Sequence, residues 1–254
     1  MINRITKKLF QKSRLHEYEH ILKYALENNY KLISLIDWYN NYKNTNERVL
    51  ILRHDVDYDT KGAYNFYKLE KQLGATSTIY FRWKTMNDNI MKEMHNNNFE
   101  VSLHFETLAS YSKQNNVTKK DEITPEIIST CRNNLSNEIK KFESEYFKIK
   151  TICSHGDKRN RLLDTPNHII TDKEFYTKHN ILFETYDENI IKKFDAYISD
   201  SSIYANFEWK HSGSPYKMID EQKQTICLLT HPIHWNQSFF KNIKMLWMVF
   251  LDNR

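Results

Sequence analysis

The chain has 254 residues, of which 37 are Lys or Arg and 32 are Asp or Glu, so its formal net charge is +5. This length is that of one large α/β domain, and the 14% aromatic content argues against disorder. With only 4 Gly and 4 Pro, the sequence excludes collagen-like and low-complexity classes and contains no glycine-rich phosphate loop. Its 3 Cys lack Cys-x-x-Cys spacing, which is typical of reduced thiols rather than a disulfide framework.

The distribution of charge and apolar residues limits the partners. Basic residues are interspersed with acidic ones, so we expect no nucleic-acid partner. The N-terminal residues lack the apolar stretch of a signal peptide, and the apolar run Met245–Leu251 is too short to span a bilayer. We therefore expect a cytoplasmic protein without stable membrane insertion, and the sequence leaves its oligomeric state open.

Apolar periodicity predicts alternating helices and strands. The chain opens with a helical lead-in over residues 1–47, and a run of short apolar or β-branched segments follows it. Helices are predicted at residues 15–29, Leu32–Tyr42, Thr60–Leu73, Asn89–His95 and Thr124–Glu145. Strands are predicted at Val49–Leu52, Thr76–Phe81, Phe99–Leu103, Ile149–Cys153, Ile181–Thr185, Tyr197–Ser199 and Thr225–Leu229. Such alternation indicates an α/β fold with a mostly parallel sheet, either open or closed into a barrel.

Polar clusters follow five of these seven predicted strands. They are Arg53-His54-Asp55-Val56-Asp57, His104-Phe105-Glu106, Ser154-His155-Gly156-Asp157, Asp200-Ser201 and Thr230-His231-Pro232. The carboxyl ends of parallel strands meet at one edge of a sheet, where α/β proteins bind their ligands. Because His and Asp recur at five such ends, the sequence predicts one shared active site there.

The residue types in these clusters suit metal-assisted hydrolysis. Asp55 and Asp57 are two residues apart at a strand end, and His104 and His155 offer imidazoles from two other strand ends. One Asp with two His is a ligand set for zinc or another divalent first-row ion. The other carboxylate can accept a proton from a metal-bound water, and His231 can protonate a leaving group.

Structural roles compete with functional ones for several of these residues. His54 follows an Arg within a strand and suits the core as well as the site, and His104 lies between two apolar residues. The aromatic residues are expected mostly in the core, but Trp209 and Trp235 are candidates for stacking on a sugar ring. Five further histidines without convergent partners are interpreted as surface or packing residues: His16, His20, His168, His179 and His211.

The motifs resemble those of the polysaccharide deacetylase (NodB-homology) family of carbohydrate esterases, in particular a branch whose first motif is Arg-His-Asp-Val-Asp. The matching segments are Leu52–Asp57, Phe99–Glu106, Ser154–Gly156, Ile198–Ser201 and Leu228–Pro232, which together span residues 48–236. The resemblance implies an irregular (β/α)-barrel of about seven strands. It also implies a bound divalent metal, with Zn²⁺ favoured, and removal of acetyl groups from N-acetylated sugars.

The resemblance also assigns roles to residues. Its first motif implies that Asp55 is the general base and Asp57 a metal ligand, and its histidine motif places the first metal His at His104. The family's second metal His falls at Leu108, which cannot coordinate. His155 is the predicted substitute and Glu106 the second candidate, either as a ligand or in substrate binding.

The final motif implies that His231 is the leaving-group acid. We expect Asp200 to orient His231, and Arg53 either to tune Asp55 or to hold an anionic part of the substrate. The prediction is therefore a single deacetylase domain over residues 1–254, with a C-terminal segment from residue 237, acting on an N-acetylated sugar or glycan precursor. A hydrolase of another small amide or imide, and a sugar-binding protein without catalysis, remain alternatives.

Overall fold

The computed structural model describes residues 9–200 and 208–252. Its strands are β1 (Lys31–Ile33), β2 (Val49–Val56), β3 (Thr78–Phe81), β4 (Glu100–Phe105), β5 (Thr151–Ser154), β6 (Phe183–Glu184), β7 (Ala196–Ser199), β8 (Lys210–His211) and β9 (Thr225–Thr230). Its main helices are α1 (Leu15–Glu27), α2 (Leu35–Asp37), α3 (Thr60–Gln72), α4 (Asp88–Asn96), α5 (Thr107–Gln114), α6 (Pro125–Glu145), α7 (Lys158–Leu162), α8 (Lys173–His179), α9 (Glu188–Ile191), α10 (Pro215–Asp220) and α11 (Phe239–Asp252). Ser201, which belongs to one predicted polar cluster, lies outside the described residues.

The strands form one curled sheet in the order β6-β5-β4-β3-β2-β9-β7-β8, and β1 pairs with the first half of β2. All described pairings are parallel except that of β7 with the short β8. The sheet curls into a half-barrel flanked by helices, with β6 and β8 at its two ends. This confirms the predicted α/β class and its irregular, barrel-like sheet.

Each of the seven predicted strands overlaps a strand of the structure, because strands covered on both faces are continuously apolar. The lead-in differs in one place, since Lys31–Ile33 is a strand rather than part of a helix. Leu32 and Ile33 are buried and pair with Leu50 and Ile51 of β2. Three residues are too few to show the alternation that identifies a strand.

Local sequence signals mark the start of α6 and the end of α3. Thr124 accepts a hydrogen bond from the Ile127 amide at the start of α6, where Pro125 is the first helical residue. At the end of α3, Gly74 takes a φ of +68°, a left-handed conformation that favours glycine.

A buried cluster fills the inside of the half-barrel below the carboxyl ends of its strands. Ile51, Tyr80, Cys153 and Cys227 belong to it, and Trp38 of the π-helical segment Trp38–Tyr42 packs there as well. The N-terminal lead-in therefore helps to close the lower end of the half-barrel. The carboxyl ends of the strands are left as the open end.

His54 belongs to the core rather than to the site. It is 1% exposed, with Nδ1 lying 2.7 Å from Thr230 Oγ1 and Nε2 lying 2.7 Å from Glu70 Oε1. Tyr18 and Ser77 donate further hydrogen bonds to Glu70. This network ties β2 to β9 and to α3, and so fixes the strand that carries both site carboxylates.

No helix among the described residues combines the length and the apolar composition that crossing a membrane would require.

Candidate metal centre and active site

A cavity of about 230 Å³ opens at the carboxyl ends of the strands. Five residues predicted from four strand ends line it together: Asp55, Asp57, His104, His155 and His231. The remaining lining residues are Gly156, Tyr186, Tyr197, Ser199, His211 and Leu229. The convergence follows from the topology, since β2, β4, β5 and β9 are parallel and end on the same side.

Asp57, His104 and His155 bring three potential ligand atoms together. Nε2 of His104 lies 3.3 Å from Asp57 Oδ1, and Nε2 of His155 lies 3.4 Å from the same oxygen. A tetrahedral zinc held at about 2.0–2.2 Å from each ligand sets its ligands about 3.3–3.6 Å apart. The spacing of the three side chains therefore fits a divalent first-row ion.

The hydrogen bonds around the two imidazoles also suit metal binding. His104 Nδ1 lies 3.1 Å from the Cys153 carbonyl oxygen, which can only accept, so Nδ1 carries the proton and Nε2 presents a lone pair. Asp57 Oδ1 is buried and accepts no hydrogen bond from the described residues. A buried carboxylate oxygen facing an imidazole lone pair is satisfied by a cation between them.

Glu106 lies behind His155 rather than among the three facing ligand atoms. Its Oε2 is 3.5 Å from His155 Nδ1, on the side of the ring opposite Asp57, and it also pairs with the buried Arg82. Burial would raise the pKa of Glu106, but His155 and Arg82 together lower it to about 2. Glu106 is therefore an ionised carboxylate beside His155, placed to orient its ring.

Arg53 holds Asp55 in a bidentate ion pair. Nε and Nη2 of Arg53 donate to the two Asp55 oxygens at 3.0 and 2.8 Å, and both side chains are 1% exposed. Burial would raise the pKa of Asp55, but the charge of the Arg53 guanidinium lowers it below its ordinary value. The predicted tuning role for Arg53 agrees with this contact. Its alternative role as an anchor for substrate is wrong, because the guanidinium is enclosed.

His231 forms a second Asp–His arrangement across the cavity. Its Nδ1 lies 2.6 Å from Asp200 Oδ1, and its backbone N–H donates to Asp200 Oδ2 at 2.8 Å. Burial would lower the pKa of His231, but the charge of Asp200, supported by that hydrogen bond and by Asp57 and Asp55, raises it to about 9. His231 is thus protonated at neutral pH, and Asp200 orients its ring as predicted.

The interpretation of Trp235 as a sugar platform is wrong. The ring is 1% exposed and packs among Tyr18, Phe66 and Trp209, while its indole N–H donates to Asp200 Oδ2 at 2.8 Å. Trp235 therefore supports the carboxylate that orients His231. Trp209 is half-buried with its ring centroid 5.7 Å from that of Trp235, so it forms part of the same packing.

Sequence reasoning missed four residues at the site. His211 lines the cavity, although it was interpreted as a surface residue, and Tyr186 and Tyr197 line it too. His234 Nδ1 lies 3.3 Å from Asp200 Oδ2. A signal existed only for His234, which follows His231 by three residues after a strand end. Tyr186 and His211 lie in segments without a predicted polar cluster, and Tyr197 lies within a predicted strand rather than at its polar end.

Comparisons with known proteins find likeness in structure only. No family model matches the sequence, and no curated protein matches it either. Solved structures of BA3943 from Bacillus anthracis, described as a CE4 family pseudoenzyme, are similar in fold. The wild-type protein has a TM-score of 0.42 at 12% identity over 82% of this chain, and a mutant with restored enzymatic activity has 0.46 at 12% over 81%. A further mutant has 0.43 at 13% over 81%. This chain spans 62% or 63% of the length of those structures.

Proposed function

We propose that the chain is a metal-dependent hydrolase of C–N amide bonds. The observation that carries the proposal is the unpartnered, buried Asp57 oxygen facing the imidazoles of His104 and His155, in a cavity that also holds an ionised Asp55 and a protonated His231. A ligand set, a base and an acid within one cavity are the components of metal-assisted hydrolysis.

Asp57, His104 and His155 would hold a divalent ion such as Zn²⁺. When bound, this ion would lower the pKa of a water molecule and polarise the amide carbonyl. Asp55 is placed to accept the proton of that water. Its Oδ2 lies 3.8 Å from His104 Nε2, and its lowered pKa keeps it ionised at neutral pH. Arg53 donates to both oxygens and the Cys153 thiol also donates to Oδ2, so among the described residues the second acceptor site left open is that of Oδ1.

His231 is placed to donate a proton to the departing amine. Asp200 engages Nδ1, so the other ring nitrogen is left for the cavity that His231 lines. The Asp200 carboxylate also accepts hydrogen bonds from the His231 backbone and from Trp235, which restricts its rotation. The acid is therefore pre-oriented before substrate binds.

The particular reaction we propose is removal of an N-acetyl group from an amino sugar or a sugar-containing precursor. The support for this narrower assignment is the resemblance of the five motif segments to the polysaccharide deacetylases, together with the positions of their acidic and imidazole groups. Asp55, Asp57, His104 and His231 line one cavity, which supports the roles that the resemblance implies for them.

Acetate release tests the proposal. Metal-loaded protein is incubated with a panel of N-acetylated amino sugars, and acetate is measured against time. We expect release by the wild type and a loss on the order of 10²–10⁴-fold in the Asp55→Asn variant, which is the usual contribution of a general base. Elemental analysis should find the same metal content in both proteins, because Asp55 is not among the proposed ligands.

Two results would count against the proposal. A metal-loaded wild type that binds these sugars but releases no acetate would favour a sugar-binding protein. Unchanged acetate release in Asp55→Asn would remove Asp55 as the base.

A further inference from the structure

A second, larger cavity adjoins the one at the metal centre. Its volume is about 380 Å³, and it shares His155, Gly156 and Tyr186 with the smaller cavity. Ligand sites for small molecules usually occupy about 300–1,000 Å³. At about 230 Å³ the metal cavity alone falls below that range, whereas the two adjoining cavities together lie within it.

The loop after β5 builds this second cavity, and its own hydrogen bonds hold it in place. Asn167 is 1% exposed, donates to the His155 carbonyl oxygen at 2.6 Å and accepts from the Ala109 amide at 2.9 Å. Asn160 donates to the Thr165 carbonyl oxygen and accepts from the Asp157 amide. The cavity is thus a preformed feature of the fold.

The charges around the second cavity leave one cation available. The carboxylates of Asp157 and Asp164, which line it, are paired with Lys113 at 2.7 Å and Lys120 at 2.8 Å. Arg161 also lines it, is exposed, and forms no ion pair within residues 9–200 and 208–252. A guanidinium in this position suits a phosphate or carboxylate, which it can bind through two parallel hydrogen bonds.

We infer that the second cavity binds the non-reacting part of the substrate and that Arg161 recognises an anionic substituent there. The substrate class is therefore an N-acetylated amino sugar carrying a phosphate or carboxylate, rather than a neutral sugar. This inference rests on the proposed function for the identity of the reacting group, but the anion site itself does not depend on catalysis.

Binding of three probes to the metal-loaded full chain, measured by calorimetry, tests the anion site. The probes are N-acetylglucosamine, its 1-phosphate and an N-acetylated aminouronic acid. We expect the favoured anionic probe to bind about tenfold more tightly than the neutral sugar, and Arg161→Gln to remove that advantage. The two anionic probes distinguish phosphate from carboxylate recognition.

Lys158→Gln is the matched control. It removes one positive charge from the same short helix, α7, at a residue that does not line the cavity, so it should retain the preference for the anionic probe. Equal binding of all three probes by the wild type would overturn the inference. So would an equal loss of preference in the Arg161 and Lys158 variants, because that would indicate a general effect of charge.

Gly156 offers a second test, since it lines both cavities. A Cβ at this position would meet no atom within 4 Å, so a larger side chain is tolerated by the fold and projects into open space. We expect Gly156→Leu to weaken anionic-probe binding about tenfold while metal content stays unchanged. Unchanged probe binding in this variant would contradict a substrate path between the cavities.

The outcomes separate this inference from the proposed function. If anionic probes bind through Arg161 but no acetate is released, the anion site is supported and the proposed hydrolase activity is overturned. The opposite result is also possible: the protein releases acetate from neutral sugars at a rate that Arg161→Gln does not change, and it shows no preference for anionic probes. That result would support the proposed hydrolase and overturn the anion site.

Discussion

Two Asp–His clusters face the same cavity, and they differ in how their carboxylates are satisfied. Asp57 presents an oxygen that accepts no hydrogen bond within the described chain, with His104 and His155 beside it. Asp200 accepts from the His231 ring, the His231 backbone and the Trp235 indole. Both clusters bring an Asp and two His close enough to hold an ion. Of these two clusters, only the first has a carboxylate oxygen without a hydrogen bond from the residues that the structure describes, which a metal ion can bind. In the second cluster, the carboxylate of Asp200 stabilises the proton on His231 instead.

Removing an imidazole from the first cluster should have the largest effect. We expect His104→Ala to lower the affinity for Zn²⁺ by more than about 100-fold, because loss of outer partners alone costs about 10–100-fold. His211→Ala is the control, since it removes an imidazole from the same cavity without touching the three ligand atoms. Full zinc affinity in His104→Ala, measured by competition with a chelator, would exclude His104 as a ligand.

Removing the carboxylate of the second cluster should move the pH dependence of activity. The pKa of His231 is raised to about 9, so the protonated acid is present below that pH and is lost as pH rises through it. In Asp200→Asn we expect the basic limb of the rate profile to shift down towards the ordinary histidine value of about 6.5.

Several charged or titratable groups bear on that shift. Asp200 and His234 lie against His231, and Asp57 and Asp55 face it from β2 and its end. Titration of the His231 ring by NMR distinguishes its pKa from those of the other groups. An unchanged basic limb in Asp200→Asn would show that another group sets it.

A smaller effect is expected from Glu106, which contacts the first cluster from behind. We expect Glu106→Gln to weaken zinc binding by roughly tenfold, because the carboxylate that orients His155 is replaced by a neutral amide. The control is zinc affinity in Glu138→Gln, because Glu138 is a partly buried carboxylate that lines a cavity with Glu106, and His155 does not line that cavity. Equal affinities in wild type and Glu106→Gln would leave Glu106 without a positioning role.

The sequence predicted the parallel strands well because their burial on both faces makes them continuously apolar, as in Val49–Leu52. The cavity residues at strand ends were also predictable, since parallel topology brings those ends together. The groups that donate hydrogen bonds to each carboxylate were not predictable. They include Arg53 and Trp235, whose neighbours are set by tertiary packing rather than by spacing along the chain. The error over Trp235 has this origin, because an aromatic ring after a strand end suits the core as well as a sugar.

The most direct test of the difference between the clusters is the metal stoichiometry of three proteins. Wild type, Asp57→Asn and Asp200→Asn are each titrated with Zn²⁺ by calorimetry and then desalted for elemental analysis. We expect one tightly bound ion per chain in the wild type and in Asp200→Asn, and none in Asp57→Asn. If Asp57→Asn retains the ion and Asp200→Asn loses it, the metal binds at the cluster of Asp200, His231 and His234. That result would contradict the proposed metal centre.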